Sequence, residues 1–190
     1  MEHPRSREEK RINFLDETLR VIFTIEEEAV QYLPEVTPED LETRKEKYRI
    51  LLGNVRYADG KAQILIKGIL EMTHDEPGYY NEGVENVSNI DIQALRKYAA
   101  KLQRRYHEYK DFGFIGEMHT HPVMPKEGFT PEVPSQFDIQ SISNAYEDSR
   151  LKPNEPFIFA IAAPDRKGKT IYTFYRLVKR GKEYIAKEVE

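Results

Sequence analysis

The sequence has no cysteine, no tryptophan and no long apolar run. Without cysteine, disulfide bonds and thiolate metal sites are excluded, so any metal ion would have to be bound through nitrogen and oxygen atoms. No apolar stretch approaches the roughly 18 residues that a membrane-spanning helix needs. The first 14 residues also lack the apolar segment of a signal peptide. We therefore expect a cytoplasmic protein that does not enter a membrane.

A strong excess of charge of one sign is absent as well. The 190 residues carry a formal net charge of −4, whereas domains that bind nucleic acid are usually strongly basic. Hydrophobic residues make up 39% and charged residues 33% of the chain, which is typical of a globular domain with a heavily solvated surface. A chain of this length can bury a sizeable core. We expect residues 1–18 to form a polar N-terminal extension and residues 19–190 to form a single domain.

The pattern of apolar residues predicts an α/β fold. Apolar and β-branched runs predict strands at residues 19–23, 48–57, 63–72, 157–162, 171–178 and 184–189, and a further buried strand that begins at residue 112. Capping signals predict helices that begin at Thr24, at Thr37 (running to about Lys47) and at Ser135 (running to about Arg150). Helical spacing predicts another helix over residues 91–110. The Asp59-Gly60 pair predicts a hairpin, and residues 73–89 predict an extended loop. This order of elements predicts a central mixed sheet flanked by helices.

Two histidines stand at the end of the strand that begins at residue 112, in the sequence Gly116-Glu117-Met118-His119-Thr120-His121-Pro122. Because side chains alternate along a strand, His119 and His121 are predicted to project to the same side, while Glu117 is expected to face away from them. Neutral imidazole binds zinc well, and a catalytic zinc site typically has three protein ligands and a water molecule. The third ligand would be Asp138, from the next helix.

Each part of this pattern has a simpler interpretation. A His-x-His sequence occurs by chance, and the two histidines are then ordinary side chains, one buried and one exposed. Ser135 and Asp138 have the spacing of a capping box, in which a serine and an acid three residues later satisfy the first backbone N–H groups of a helix. The metal-site interpretation depends on the combination, because a histidine pair followed by a helix that begins with a carboxylate would place three ligands around one point.

The combination resembles a known motif. His119-Thr120-His121-Pro122 and Ser135-x-x-Asp138 resemble the JAMM motif of the JAB1/MPN/Mov34 metalloproteases, in its MPN+ form, and the chain is similar to a stand-alone prokaryotic member. That motif also has an upstream glutamate, which corresponds to Glu46, seven residues before Gly53. The resemblance covers about residues 19–174 and implies that family's cytidine-deaminase-like α/β/α sandwich, an MPN/JAB domain.

The resemblance also implies an activity. Zn²⁺ would be held by His119, His121 and Asp138, Glu46 would be the general base, and the Ser135 hydroxyl would stabilise the oxyanion. The reaction would be the hydrolysis of a peptide or isopeptide bond at the C-terminal tail of a ubiquitin-like or sulfur-carrier protein. The alternatives are an MPN scaffold that binds partners without catalysis, and a metal-dependent hydrolase of another bond. No nucleic-acid or membrane partner is expected, and the oligomeric state is left open.

The segment between His121 and Ser135 is longer than the usual spacer of the family. Residues 122–134 contain several prolines, one glycine and two glutamates. The segment is either a flap over the metal or a surface loop. A third alternative is that Glu127 or Glu132 occupies the open position of the metal and inhibits the site.

Overall fold

The computed structural model describes residues 12–71, 92–148 and 150–190. The polar start of the chain before residue 12 and the loop predicted at residues 73–89 lie outside these ranges. The strands are β1 (Arg20–Ile25), β2 (Tyr48–Ala58), β3 (Lys61–Glu71), β4 (Gly113–Thr120), β5 (Ile158–Pro164), β6 (Thr170–Arg180) and β7 (Glu183–Glu188). The helices are α1 (Glu27–Val30), α2 (Pro38–Thr43), α3 (Ile92–Arg105), followed by a short 3₁₀ helix (His107–Tyr109), and α4 (Gln136–Glu147).

All seven of these strands form one mixed sheet in the order β1-β3-β2-β4-β5-β6-β7. The pairs β1–β3 and β4–β5 are parallel and the other pairs are antiparallel. The α/β class predicted from the sequence is therefore confirmed. The sheet places β4, which carries the histidine pair, at its centre.

Apolar side chains are buried on both faces of the sheet. One face packs against α3 and α4, and the other is covered by the segment before β1 and by α1. Representative members of the first cluster are Ile50, Tyr98, Phe159 and Ile161, and those of the second are Phe14, Leu51, Met118 and Ala160. Because β5 is buried on both faces of the sheet, it reads in the sequence as a continuous apolar run.

The segment immediately before β1 packs against the domain. Phe14 and Leu15 are buried, and the buried guanidinium of Arg176 donates hydrogen bonds to the carbonyl oxygens of Phe14 (2.5 Å), Asp16 (2.9 Å) and Leu19 (2.7 Å). The packed part of the chain therefore begins before residue 19.

The hairpin between β2 and β3 agrees with the sequence. Asp59 and Gly60 both have positive φ angles, 50° and 72°, as the two central residues of a type I′ turn require. β2 and β3 then pair antiparallel along most of their length. The Asp-Gly pair predicted this turn because these residues tolerate the left-handed conformation.

Several helix boundaries differ from those predicted. The third helix ends at Arg105 rather than at residue 110, and α4 ends at Glu147 rather than near Arg150. Thr24 lies in β1, and α1 begins only after Glu26, whose side chain makes no capping hydrogen bond; the capping box predicted at Thr24 is therefore wrong. The box at Thr37 and Asp40 is present, but α2 ends at Thr43 rather than near Lys47. Arg44 follows in the left-handed conformation with a φ of 53°, which ends the helix and turns the chain toward β2.

None of the helices described by the structure is long and apolar enough to cross a bilayer.

Candidate metal centre

β4 contains a β-bulge at Ile115. Leu52 pairs with Phe114 and Leu51 pairs with Gly116, so Ile115 is an extra residue on the β4 side of the ladder. Beyond this bulge, pairing with β2 and β5 is regular as far as Thr120. The bulge therefore sets which side chains of the following residues face α3 and α4.

Gly116 allows β4 to approach β5 closely. A Cβ atom at this position would lie 1.8 Å from the carbonyl oxygen of Ile158, which no side chain can accommodate. The same limit holds on β2, where a Cβ at Gly53 would lie 2.0 Å from the carbonyl oxygen of Leu65. Both glycines are needed for close contact between strands.

His119 and His121 project to the same side of β4, as the alternation predicted. Their Nε2 atoms lie 3.0 Å apart. His119 is fully buried and its ring stacks on the Tyr48 ring at a centroid distance of 5.3 Å. His121 lies just past the end of β4 and is held to β5 by a backbone hydrogen bond to the carbonyl oxygen of Ala162.

The N-terminus of α4 brings a carboxylate to the same point. Ser135 is the N-cap of α4; its hydroxyl accepts a hydrogen bond from the Asp138 N–H at 3.2 Å, and its own N–H donates to Asp138 Oδ2 at 2.6 Å. Asp138 Oδ1 lies 3.3 Å from His119 Nε2, and Asp138 Oδ2 lies 3.6 Å from His121 Nε2. The capping-box and metal-site interpretations are therefore compatible, because one carboxylate occupies both positions.

The three side chains form a group that could hold a metal ion. Their ligand atoms all lie within 4.8 Å of one another. Zinc bonds of about 2.0–2.1 Å in a tetrahedral arrangement place neighbouring ligand atoms about 3.3 Å apart. His119 Nε2 lies 3.0 Å from His121 Nε2 and 3.3 Å from Asp138 Oδ1, close to this value, whereas the 3.6 Å contact of His121 Nε2 is with the other carboxylate oxygen, Oδ2. The donor set is therefore close to one that a small divalent ion would need.

The electrostatics of the group also suit a cation. Burial and the neighbouring His119 lower the pKa of His121 to about 4, so His121 is neutral at pH 7 and its Nε2 lone pair is available. Burial would raise the pKa of Asp138, but the two histidines and the Ser135 side chain hold it below its usual value, which keeps the carboxylate charged. Burial likewise opposes charge on His119, but Glu117 and Asp138 raise its pKa well above normal.

Glu117 is placed differently from the sequence prediction. It was expected to face away from the histidines, but residues 117, 119 and 121 are spaced by two and share one face of the strand. Glu117 Oε2 lies 3.3 Å from His119 Nδ1, and the carboxyl is fully buried. Burial raises the pKa of Glu117. The prediction was wrong because alternation places Glu117, two residues before His119, on the same face of the strand.

The loop between β4 and α4 contributes to the site through its backbone. The Pro131 carbonyl oxygen lies 2.7 Å from His121 Nδ1 and accepts its N–H, which leaves Nε2 as the unprotonated nitrogen. The next carbonyl, that of Glu132, accepts a hydrogen bond from the Tyr175 hydroxyl at 2.9 Å. Neither Glu127 nor Glu132 belongs to the group of metal-ligating atoms among the described residues. This loop therefore orients one histidine, and its two glutamates do not block the centre in this structure.

Glu46 lies near the histidine pair because the residue after it, Lys47, is hydrogen-bonded to Thr120 at the end of β4. The Lys47 N–H donates to the Thr120 hydroxyl at 2.8 Å, and the Thr120 N–H donates to the Lys47 carbonyl at 3.0 Å. This ladder continues with Tyr48 opposite His119. Residue 46 is therefore brought to the level of His121, at the open end of the centre.

Glu46, His121, Ser135 and Asp138 line one cleft of about 440 Å³. His119 lies behind them in the core. The remaining wall comes mainly from the loop before α4 and from the first turn of that helix, and it consists of Val123, Gly128, Phe129, Thr130, Val133, Pro134 and Phe137. Four of the five residues predicted from the sequence thus line a common cleft, and the fifth, His119, is buried behind it.

The fold and the site together define a mixed α/β protein with a His-His-Asp group that could bind a metal ion. No family model and no curated protein matches the chain. A solved structure that matches the chain weakly is the solution structure of protein DSY2949 from Desulfitobacterium hafniense, with 15% identity and a TM-score of 0.46 over 89% of this chain and 92% of that chain. A similarity of this strength supports no conclusion about function.

Proposed function

We propose that this protein is a zinc-dependent metallopeptidase of the JAMM type, which hydrolyses a peptide or isopeptide bond at the C-terminal tail of a ubiquitin-like or sulfur-carrier protein. The observation that carries the proposal is the convergence of His119, His121 and Asp138 on one point, with separations of 3.0–3.6 Å, at the base of a cleft that Glu46 also lines. The ligands come from β4 and α4, and Glu46 comes from the start of β2.

The fold assignment that accompanies this proposal is the cytidine-deaminase-like α/β/α sandwich of an MPN/JAB domain. Two features support it. The mixed sheet is covered on both faces, by α3 and α4 on one side and by the N-terminal segment and α1 on the other. The motif residues also lie where that family would need them, at the end of a central strand and in the first turn of the following helix.

Zinc is the metal that this donor set favours. Two imidazoles and one carboxylate, with a position open to solvent, form a typical catalytic zinc site, although the same atoms would accept other divalent ions. A bound zinc ion would supply a Lewis acid that polarises the substrate carbonyl and activates water. His119, His121 and Asp138 would hold it, and the hydrogen bond from His121 Nδ1 to the Pro131 carbonyl fixes the nitrogen that faces the ion.

The other residues of the cleft have separate tasks. The Glu46 carboxylate would take a proton from the attacking water and deliver it to the nitrogen of the leaving amine. The Ser135 hydroxyl accepts from the Asp138 N–H in the helix cap, so its own hydrogen can be donated to the developing oxyanion. The N–H groups in the first turn of α4 add a favourable dipole for negative charge at this point. Hydrolysis would then proceed without a covalent intermediate.

The cleft wall supports a protein substrate. Val123, Phe129, Val133 and Phe137 are exposed apolar side chains, and all four line the same cleft. Phe137 is 68% exposed although it directly follows the first residue of α4. Exposed apolar side chains that cluster around a cleft mark a contact surface rather than scattered surface residues. An extended polypeptide tail would cover them.

The first test of this proposal is the metal content. Freshly purified protein, H121A and D138A are compared by elemental analysis before and after incubation with zinc. We expect about one zinc per chain in the wild type, as a single three-ligand site requires, and loss of that zinc in both variants. Failure of the wild-type protein to bind zinc would leave an MPN-like scaffold with a non-functional motif and would overturn the enzyme proposal.

The second test is hydrolysis. The substrate is a fusion in which the Gly-Gly tail of a ubiquitin-fold protein is joined to a reporter by a peptide bond. E46Q is expected to retain zinc and to lose hydrolysis, because it keeps the shape of the side chain and removes the base. E127Q is the matched control, because Glu127 is an exposed glutamate of the adjacent loop. This variant should cleave the fusion like the wild type. Equal cleavage by E46Q would exclude Glu46 as the base, and cleavage of DNA without cleavage of the fusion would replace the peptidase proposal with a different hydrolase.

A further inference from the structure

Glu117 is a buried acid that the proposed reaction does not use. Its carboxyl is fully buried at the centre of the sheet, between Ile50 on β2 and Phe159 on β5. Both of these cross-strand neighbours belong to the apolar cluster that packs against α3 and α4. A carboxyl in such surroundings lowers stability unless it is paired, and an apolar side chain of similar volume would often be more favourable there.

The partner that Glu117 has is a ligand of the candidate centre. Its Oε2 atom lies 3.3 Å from His119 Nδ1, whereas its Oε1 atom has no hydrogen-bond partner within the described parts of the chain. His119 Nε2, at the other side of the ring, lies 3.3 Å from Asp138 Oδ1 and 3.0 Å from His121 Nε2. The imidazole therefore lies between a buried carboxyl and the point where the three ligand atoms meet.

This arrangement has a known use in metal proteins. A histidine that binds a metal through one nitrogen commonly donates its other N–H to a carboxylate or a carbonyl, which fixes the tautomer and the plane of the ring. His121 has such a partner in the Pro131 carbonyl, at 2.7 Å from its Nδ1. Glu117 is in the equivalent position for His119. Each histidine of the pair thus has its own acceptor on the Nδ1 side, and both present Nε2 to the same point.

We propose that Glu117 is a positioning residue of the metal centre, which accepts the Nδ1–H of His119 and thereby holds the ring with Nε2 directed at the ion. This inference rests on the metal site proposed above. It assigns a role to a buried acid, the support of one ligand. Tyr48, stacked on the other side of the same ring, restricts its rotation further.

The experiment measures metal binding directly, without an assay of hydrolysis. Zinc affinity is determined by competition with a chelator, and the visible absorption of bound Co²⁺ reports the geometry of the ligands. The variants are E117L, which removes the acceptor, and E117Q, whose amide oxygen can accept the same hydrogen bond. M118L is the control, because Met118 is the next residue, is equally buried and faces the opposite apolar cluster.

We expect E117L to bind zinc about 10- to 100-fold more weakly than the wild type, the usual effect of losing such a partner, with altered Co²⁺ bands. E117Q should recover part of the affinity and M118L should be unchanged. If E117L does not fold, E117Q decides the question, since it should bind more weakly than M118L with a Co²⁺ spectrum that departs from that of the wild type. Wild-type affinity and spectrum in the Glu117 variants would overturn the positioning role while leaving the metal site intact. A wild-type protein that binds neither metal would overturn both proposals.

Discussion

The double role of Asp138 leads to a test that separates a helix cap from a metal ligand. Ser135 and Asp138 form a capping box, and the same carboxylate faces both histidines. S135A removes the hydroxyl acceptor of the cap and leaves the carboxylate. D138N keeps an oxygen that can accept the Ser135 N–H and removes the charge that a cation needs. The two variants should therefore respond differently to zinc.

The size of each effect follows from the contacts. Loss of the Ser135 acceptor costs about 1 kcal/mol, and loss of the Asp138 charge in the first turn costs about 0.3–1 kcal/mol. Zinc at 100 times its dissociation constant stabilises a protein that binds it by about 2.7 kcal/mol. For a domain of 150–250 residues, 1 kcal/mol shifts Tm by about 2–4 °C. Zinc should therefore raise the Tm of the wild type and of S135A by about 5–11 °C, and that of D138N by little or nothing.

The assay is thermal unfolding followed by circular dichroism, with and without zinc. T37A is the matched control, because Thr37 and Asp40 form the same box at the start of α2, where the acid pairs with Lys47 and not with a histidine pair. The loss of Tm in T37A, like that in S135A, should be the same with and without zinc. If D138N gained as much from zinc as the wild type, Asp138 would be a helix cap alone, and the ligand set derived from the geometry would be wrong.

Other expectations concern the rest of the fold. R176M should lose at least about 3 kcal/mol in urea unfolding, since three carbonyls would lose a charged donor, whereas R180A, at an exposed ion pair, should leave the urea midpoint unchanged. G116A should fail to give soluble folded protein, because its Cβ would meet the carbonyl of Ile158; a wild-type Tm would contradict this. Burial opposes charge on Asp40, but Lys47 and Thr37 lower its pKa, so its stabilising effect should be present above about pH 4 and fall as the pH drops below that value. D40N should therefore be destabilised at pH 6 and differ less from the wild type at pH 3. Chelation should lower Tm without loss of the far-UV spectrum.

The periodic features of the sequence predicted most of the architecture. Apolar runs and an Asp-Gly pair located the strands and the hairpin, because these signals depend on residues close together in the chain. Helix starts were predicted where a threonine or serine capped an acid three residues later, at Thr37 and Ser135. At Thr24 the same spacing failed, since pairing of β1 with β3 extends through Ile25 and tertiary contacts override the local signal.

The candidate site was harder to predict in its supporting contacts than in its ligands. His119, His121 and Asp138 were found because strand alternation and the cap spacing place them by local rules. The Pro131 carbonyl that orients His121 had no signal in the sequence, because backbone acceptors are set by the path of a loop. Glu117 did have a signal, the spacing of two along the strand, and a consistent application of that spacing would have found it.

Contacts between protein groups fix the positions of the candidate ligands and of Glu46. β4 is paired on both sides, Thr120 and Lys47 exchange two hydrogen bonds beside Glu46, and the cap fixes Asp138 from its own helix. All of these contacts are between protein groups. Metal sites of small domains such as zinc fingers form only when the chain folds around the ion. Here the sheet and the helix cap supply the geometry of the three side chains, so we expect the domain to stay folded when an ion is removed.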